Sequence, residues 1–168
     1  MTASASSVID ITGFNSALYE DYIIVLSGVR LSAINADLLM QMKIGGTLRT
    51  TQYFGHQVKT DSGASTYLGQ AISGASSLII ADDFGTDDAT AGCDMRIRIN
   101  NISSTTKQHK AEWKGVLQNS SGGGTLIRFA DGAGACGAAT GALSEIRFLS
   151  SSGNIVTGTF KLYGMRSV

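Results

Sequence analysis

Few side chains in this chain of 168 residues have types and spacings suited to catalysis. The only histidines are His56 and His109, so a Ser-His-Asp or Cys-His arrangement has just two candidate bases. Cys93 and Cys136 lie far apart and form no CxxC pair, which favours buried free thiols over a disulfide framework or a zinc site. We therefore predict a protein that is not an enzyme and uses no cofactor.

Carboxylates give one candidate metal site. An acidic segment follows a predicted strand, and its oxygens could gather around a calcium ion. The segment lacks the alternating ligand spacing of an EF-hand and its closing glutamate, so a solvated acidic loop is the alternative. Glu20, Glu112 and Glu145 are the only glutamates, and no pair of them suggests a glycosidase site. The candidate calcium ligands are Asp82, Asp83, Asp87 and Asp88.

Aromatic residues and one histidine are the candidates for binding a partner. Aromatic rings can stack on sugars or anchor protein interfaces. Trp113 alternates with charged neighbours and is expected in the core or as an interface anchor, while His109 is expected at a surface or interface. A sugar-binding face could draw on Tyr19, Tyr22, Tyr53, Phe54, Tyr67, Trp113 and Tyr163. We predict interface roles for Tyr53, Trp113 and His109.

The overall charge excludes some partners. Thirteen Lys and Arg balance thirteen Asp and Glu, and only 15% of the residues are charged. No basic run indicates binding to nucleic acid or to anionic lipid, and no apolar window is long enough to span a membrane. The first ten residues do not resemble a signal peptide, so synthesis in the cytoplasm is expected. A weakly charged surface of this kind suits contact with other protein surfaces.

Period-two alternation predicts an all-β fold. Cys93, Met95, Ile97 and Ile99 would share one face of a strand, and the polar residues between them the other. Turn signals separate such segments at intervals typical of a single antiparallel β-sandwich, jelly-roll-like, with about 8–11 strands. Further predicted strands are Val8–Thr12, Tyr22–Leu26, Leu38–Ile44, Thr47–Phe54, Ser65–Ile72, Ser77–Ile80, His109–Gln118, Thr125–Ala130, Glu145–Leu149 and Gly158–Met165.

Turns and low-complexity segments complete the predicted organisation. Residues 1–12 are expected as an N-terminal arm and residues 13–168 as one domain. Gly45-Gly46 predicts a turn, and the turn after residue 149 predicts a hairpin between the last two strands. Residues 120–124 and 131–142 are rich in small residues and predict either loops or flat strand edges, which could order against a neighbouring chain.

Two segments resemble bacteriophage virion and prophage proteins. Residues 13–46 combine a Tyr-centred strand, a polar turn and an apolar strand that closes in Gly-Gly before an aromatic residue. Residues 142–166 combine an alternating strand, an SGN turn and a last strand of the form GTxxLYG. The resemblance implies a virion β-sandwich that assembles as a trimer or another symmetric oligomer. The matched positions are Tyr22, Gly45, Gly46, Gly153, Asn154, Gly158, Leu162, Tyr163 and Gly164, and they imply a framework without an active site.

Three functions follow as expectations. The first is a tail-fibre or other tail-associated module that acts in virion assembly or host attachment, and the second is a capsid decoration protein that stabilises the head. The third is a carbohydrate-binding module. The expected location is the virion, and the expected partners are further copies of the chain, other virion proteins and a host-surface glycan.

Overall fold

The fold consists of β-strands. The computed structural model describes residues 1–62, 67–84, 92–119, 126–137 and 140–166, and twelve strands lie within them. Alternating apolar residues place one side of most strands in the core, as in Cys93–Asn100. The strands are β1 Val8–Ile11, β2 Asp21–Leu31, β3 Leu38–Ile44, β4 Thr47–Leu48, β5 Tyr53–Asp61, β6 Leu68–Ala75, β7 Leu78–Ala81, β8 Cys93–Asn100, β9 Lys110–Asn119, β10 Leu126–Cys136, β11 Leu143–Ser150 and β12 Ile155–Met165.

Two antiparallel sheets pack together, which confirms the predicted all-β sandwich. The larger sheet has the order β12-β2-β8-β9-β10-β5-β6. The smaller has the order β1-β11-β3-β4, with β7 also paired to β3. The strand count in the described residues exceeds the predicted 8–11, since short strands such as β4 carry too little alternation to be recognised. Within those residues, no helix is long and apolar enough to cross a membrane.

The predicted hairpin between the last two strands is wrong. β11 lies in the smaller sheet between β1 and β3, while β12 pairs with β2 in the larger sheet. The connecting turn instead contacts the chain after β2, where Asn154 N donates to Ser32 Oγ at 2.9 Å. Because β11 has a partner on each side, it has no free edge for β12. The last turn therefore carries the chain from one sheet to the other.

Residues 1–12, predicted as an arm, contact both of the last two strands. Ala3 N donates to Gly158 O at 2.8 Å and Ser6 N donates to Ile155 O at 3.0 Å. β1 then pairs with β11 over all four of its residues. The segment thus runs from the larger sheet to the smaller one, and Ala3 is buried.

The strand predicted over Thr47–Phe54 is interrupted. Gly45 and Gly46, with φ of 59° and 80°, turn β3 back onto β4, as the Gly-Gly signal predicted. The chain then leaves the smaller sheet, and β5 begins at Tyr53 in the larger one. A single predicted strand is therefore two strands in different sheets.

Residues 131–136 are part of β10, a strand in the middle of the larger sheet. They were predicted as a loop or a strand edge, and neither prediction holds for them. A Cβ added to Gly132 would lie 2.5 Å from ring atoms of Trp113, so glycine leaves the space that the indole fills. Residues 120–124 and 138–139 lie outside the described residues.

Candidate binding face on the larger sheet

The three residues predicted to form an interface lie in the interior of the chain. Tyr53 and His109 are 0% exposed and Trp113 is 1% exposed. Tyr53 Oη accepts a hydrogen bond from Met42 N at 2.6 Å, and burial raises the pKa of its phenol. His109 Nε2 lies 2.7 Å from Gly141 O. All three side chains are buried, so a partner cannot reach them without local opening.

Asp82 and Asp83 follow β7 and contact cations of the larger sheet. Lys59 Nζ pairs with the Asp82 carboxylate, and Arg128 Nη1 donates to Asp82 O at 3.0 Å. Asp83 Oδ2 lies 3.9 Å from Arg128 Nη1. Asp87 and Asp88 lie outside the described residues, so the calcium site stays a prediction that would have to draw Asp82 away from Lys59.

Arg128 connects this cluster to β5 from inside the sandwich. Its guanidinium makes two hydrogen bonds to the carboxylate of Asp61, and these bonds lower the pKa of that carboxyl. Burial lowers the pKa of the neighbouring Lys59 ammonium, and the charge of Arg128 lowers it further. The cluster thus balances buried charges between the sheets, which is a structural role.

The outer face of the smaller sheet pairs its charges within the chain. Arg147 donates to both oxygens of Asp10 at 2.7 and 2.8 Å, and these bonds lower the pKa of the Asp10 carboxyl. Lys43 Nζ lies 3.3 Å from Glu145 Oε2, and Arg147 Nη2 lies 3.8 Å from Glu145 Oε1. Beside this network runs a row of aliphatic side chains in register, the aliphatic row: Val8, Leu149, Leu39 and Ile79.

The outer face of the larger sheet carries charges without such pairing. Arg96 of β8 is directly opposite Lys114 of β9, and Lys114 is opposite Asp131 of β10. Among the described residues, no ion pair or hydrogen bond engages these three side chains. Arg98, two residues further along β8 on the same face, donates instead to Asp21 at 2.7 Å.

Two depressions adjoin on this face and share Lys114 and Asp131, and we call them together the outer groove. One has a volume of about 400 Å³ and is lined by Arg96, Arg98 and Glu112 among others. The other has a volume of about 360 Å³ and is lined by Val58, Thr60, Tyr67 and Phe129. The groove thus combines three charged side chains without a partner among the described residues, Arg96, Lys114 and Asp131, with two exposed rings, Tyr67 and Phe129.

Side chains that could hold a metal ion do not cluster in the described part of the chain. No three His, Cys, Asp or Glu side chains there come together as metal ligands. Glu112 lies on the outer face of the larger sheet and Glu145 on that of the smaller sheet, so the two lie on opposite sides of the sandwich. Cys93 and Cys136 are both buried, as predicted, and burial raises the pKa of the Cys93 thiol.

No protein-family model, curated protein or solved structure matches the chain. The two outer faces and the residues that build them are therefore the features that bear on function. Of the aromatic residues predicted for a sugar-binding face, Tyr67 lines the outer groove and Tyr53 is buried. Trp113 borders the groove but is only 1% exposed. Phe129, Lys114 and Asp131 were missed, although alternation in β9 and β10 places all three on the side away from the core.

Proposed function

We propose that the chain is a non-enzymatic structural component of a bacteriophage particle, a tail-fibre or tail-associated module for virion assembly or host attachment. The proposal draws on residues 13–46 and 142–166, the segments that resemble phage virion proteins. β2 and β3 lie in the first segment, and β11 and β12 lie in the second. β12 pairs with β2 and β11 pairs with β3, so the two segments form one framework across both sheets. This pairing is the observation that carries the proposal.

The module is expected to work as a homo-oligomer, with a trimer as the first expectation. The aliphatic row supplies a surface for a second copy, since Val8 is 38% exposed and is aligned with Leu149, Leu39 and Ile79. The charges beside the row are paired within the chain, so covering them leaves no unpaired charge.

The position and copy number of the protein in the intact particle test the proposal. Cryo-electron microscopy of virions that carry a tagged copy should place the protein in the tail at a low, symmetric copy number. Many copies on the capsid would support the decoration function instead. Absence of the protein from purified particles would overturn the proposal.

The oligomer is tested separately by mass photometry of the purified chain. Wild-type protein should form a closed oligomer at micromolar concentration, and Val8→Asp should shift it towards monomer by placing a charge in the covered row. Leu18→Asp, at a residue that is 62% exposed outside the row, is the matched control and should assemble normally. A stable wild-type monomer would contradict the assembly.

A further inference from the structure

The rings at one end of the outer groove are unusually exposed. Tyr67 is 79% exposed and Phe129 is 55% exposed. Phe129 of β10 is directly opposite Thr60 of β5, and Tyr67 immediately precedes β6, which pairs with β5. Two interstrand spacings separate β10 from β6, about 10 Å. Two rings therefore flank the side chain of Val58, and together they offer apolar faces at this end of the groove.

The middle of the groove contains hydrogen-bonding groups of both kinds. The Lys114 ammonium can donate and the Asp131 carboxylate can accept, and the two are cross-strand neighbours without an ion pair. Since no described residue uses this capacity, a bound molecule can use it. A ligand with hydroxyl groups can accept from Lys114 and donate to Asp131 at the same time.

The other end of the groove places two cations on adjacent strands, and the carboxylate of Glu112 also lines this end. Arg96 and Lys114 lie side by side on adjacent strands, where like charges are destabilising. An anionic group placed between them would relieve that repulsion, and the planar guanidinium can donate two parallel hydrogen bonds to a carboxylate or a phosphate. Arg98 adds no net charge here, because its guanidinium is paired with Asp21, and Glu112 lies directly opposite it.

We infer that the outer groove binds an acidic oligosaccharide, with sugar rings against Tyr67 and Phe129, hydroxyl groups at Lys114 and Asp131, and an anionic substituent at Arg96. Sugars present an apolar C–H face and hydroxyl groups at their rim, which matches rings flanked by donors and acceptors. A protein surface fits less well, because charges of both signs interrupt the apolar side chains and an interface core is depleted of charges. The inference does not rest on the proposed function, since the aliphatic row lies on the opposite face.

Binding is tested by calorimetry with a galacturonic acid hexamer, and the methyl-esterified hexamer serves as its uncharged match. A phosphorylated oligosaccharide in a second arm distinguishes a carboxylate from a phosphate as the preferred anion. We expect one of the acidic probes to bind and the methyl ester to bind about 10-fold more weakly, because the ester has lost the anion that pairs with Arg96. Failure of both acidic probes, or equal affinity for the methyl ester, would overturn the inference.

Variants locate the binding on the groove. Phe129→Ala and Arg96→Ala should each weaken binding about 3- to 10-fold. Matched controls on exposed sites outside the groove are Phe54→Ala, at a residue that is 46% exposed, and Lys107→Ala. Both controls should bind like the wild type, and circular dichroism should show every variant folded. Equal losses in the control variants would exclude the groove as the binding site. Dissociation of the oligomer in Phe129→Ala would also exclude it, because a second copy of the chain would then occupy this face.

Discussion

On the smaller sheet, Asp10, Arg147, Glu145 and Lys43 pair with one another, whereas on the larger sheet Arg96, Lys114 and Asp131 are neighbours that do not pair. The aliphatic side chains differ in the same way. Val8 and its neighbours form a row of branched side chains, while Tyr67 and Phe129 are separate rings. On one face these charges are therefore paired within the chain, whereas on the other face three charges are left without a partner among the described residues.

This difference assigns different kinds of partner to the two faces. A face with paired charges costs less to cover with an apolar surface than a face with unpaired charges, because no buried charge is left without a partner, and copies of the chain can supply such a surface. A face with unpaired donors and acceptors gains most from a small polar ligand that supplies the missing hydrogen bonds. The contribution of a charged residue to stability should also depend on its pairing. We expect it to be largest for the pair between the sheets, smaller for the pair on the outer face and smallest for the unpaired charge.

The largest effect is expected where a pair is buried between the sheets. Arg128→Met leaves the partly exposed Asp61 carboxylate without the guanidinium that bonds to it, so the free energy of unfolding should fall by about 2–3 kcal/mol. Urea denaturation at fixed protein concentration measures this fall. The double variant Arg128→Met/Asp61→Leu should recover most of the loss, because no unpaired charge remains. A loss below about 1 kcal/mol in the single variant would contradict the ordering.

A smaller loss is expected for the outer pair of the smaller sheet. Arg147→Met removes a guanidinium that bonds to both oxygens of Asp10 and lies near Glu145, in a partly exposed position. The free energy of unfolding should fall by about 1 kcal/mol, the upper end for exposed pairs. The same urea titration applies, with Lys107→Met on an exposed loop as the control. Equal losses in both variants would show that this network contributes nothing.

Acid should remove the contribution of Asp10. Hydrogen bonds from Arg147 hold the pKa of its carboxyl below the usual 3.8, so the ionised form stabilises the fold above that value. As the pH falls through the lowered pKa, protonation removes the stabilisation. The difference in unfolding free energy between wild type and Asp10→Asn should be constant from about pH 5 to 8 and should shrink below about pH 4. A difference that grows towards low pH would contradict the pairing.

The smallest effect is expected on the larger sheet. Arg96→Met should change the free energy of unfolding by less than about 0.5 kcal/mol, because no described residue pairs with Arg96. Any change should be stabilising at low ionic strength, since the variant removes repulsion with Lys114, and salt should erase it. Thermal unfolding at low and at high salt measures the change in stability and its dependence on salt. A clear destabilisation would show that Arg96 has an internal role and would end the contrast between the faces.

Much of the fold could be predicted locally. Alternation in Cys93–Asn100 correctly separated Met95 and Ile97 from Arg96 and Arg98, and Gly45-Gly46 correctly marked a turn. The candidate site could be predicted only in part. Trp113 was expected in the core or as an interface anchor and lies in the core, whereas Tyr53 was expected at an interface and is buried. A ring on an alternating strand has an equal chance of facing either side until the strand's partners are known, and both of these rings face the core.

The sequence by itself determined that the chain forms strands and which side chains share a face, because a strand's period of two is a local property. Only the tertiary structure decided that β11 and β12 lie in different sheets, and that Arg96, Lys114 and Asp131 lie in one line across three strands. Register and sheet membership depend on pairing between residues far apart in the chain, which local patterns do not record. The two faces, and the contrast between them, exist only once those pairings are made.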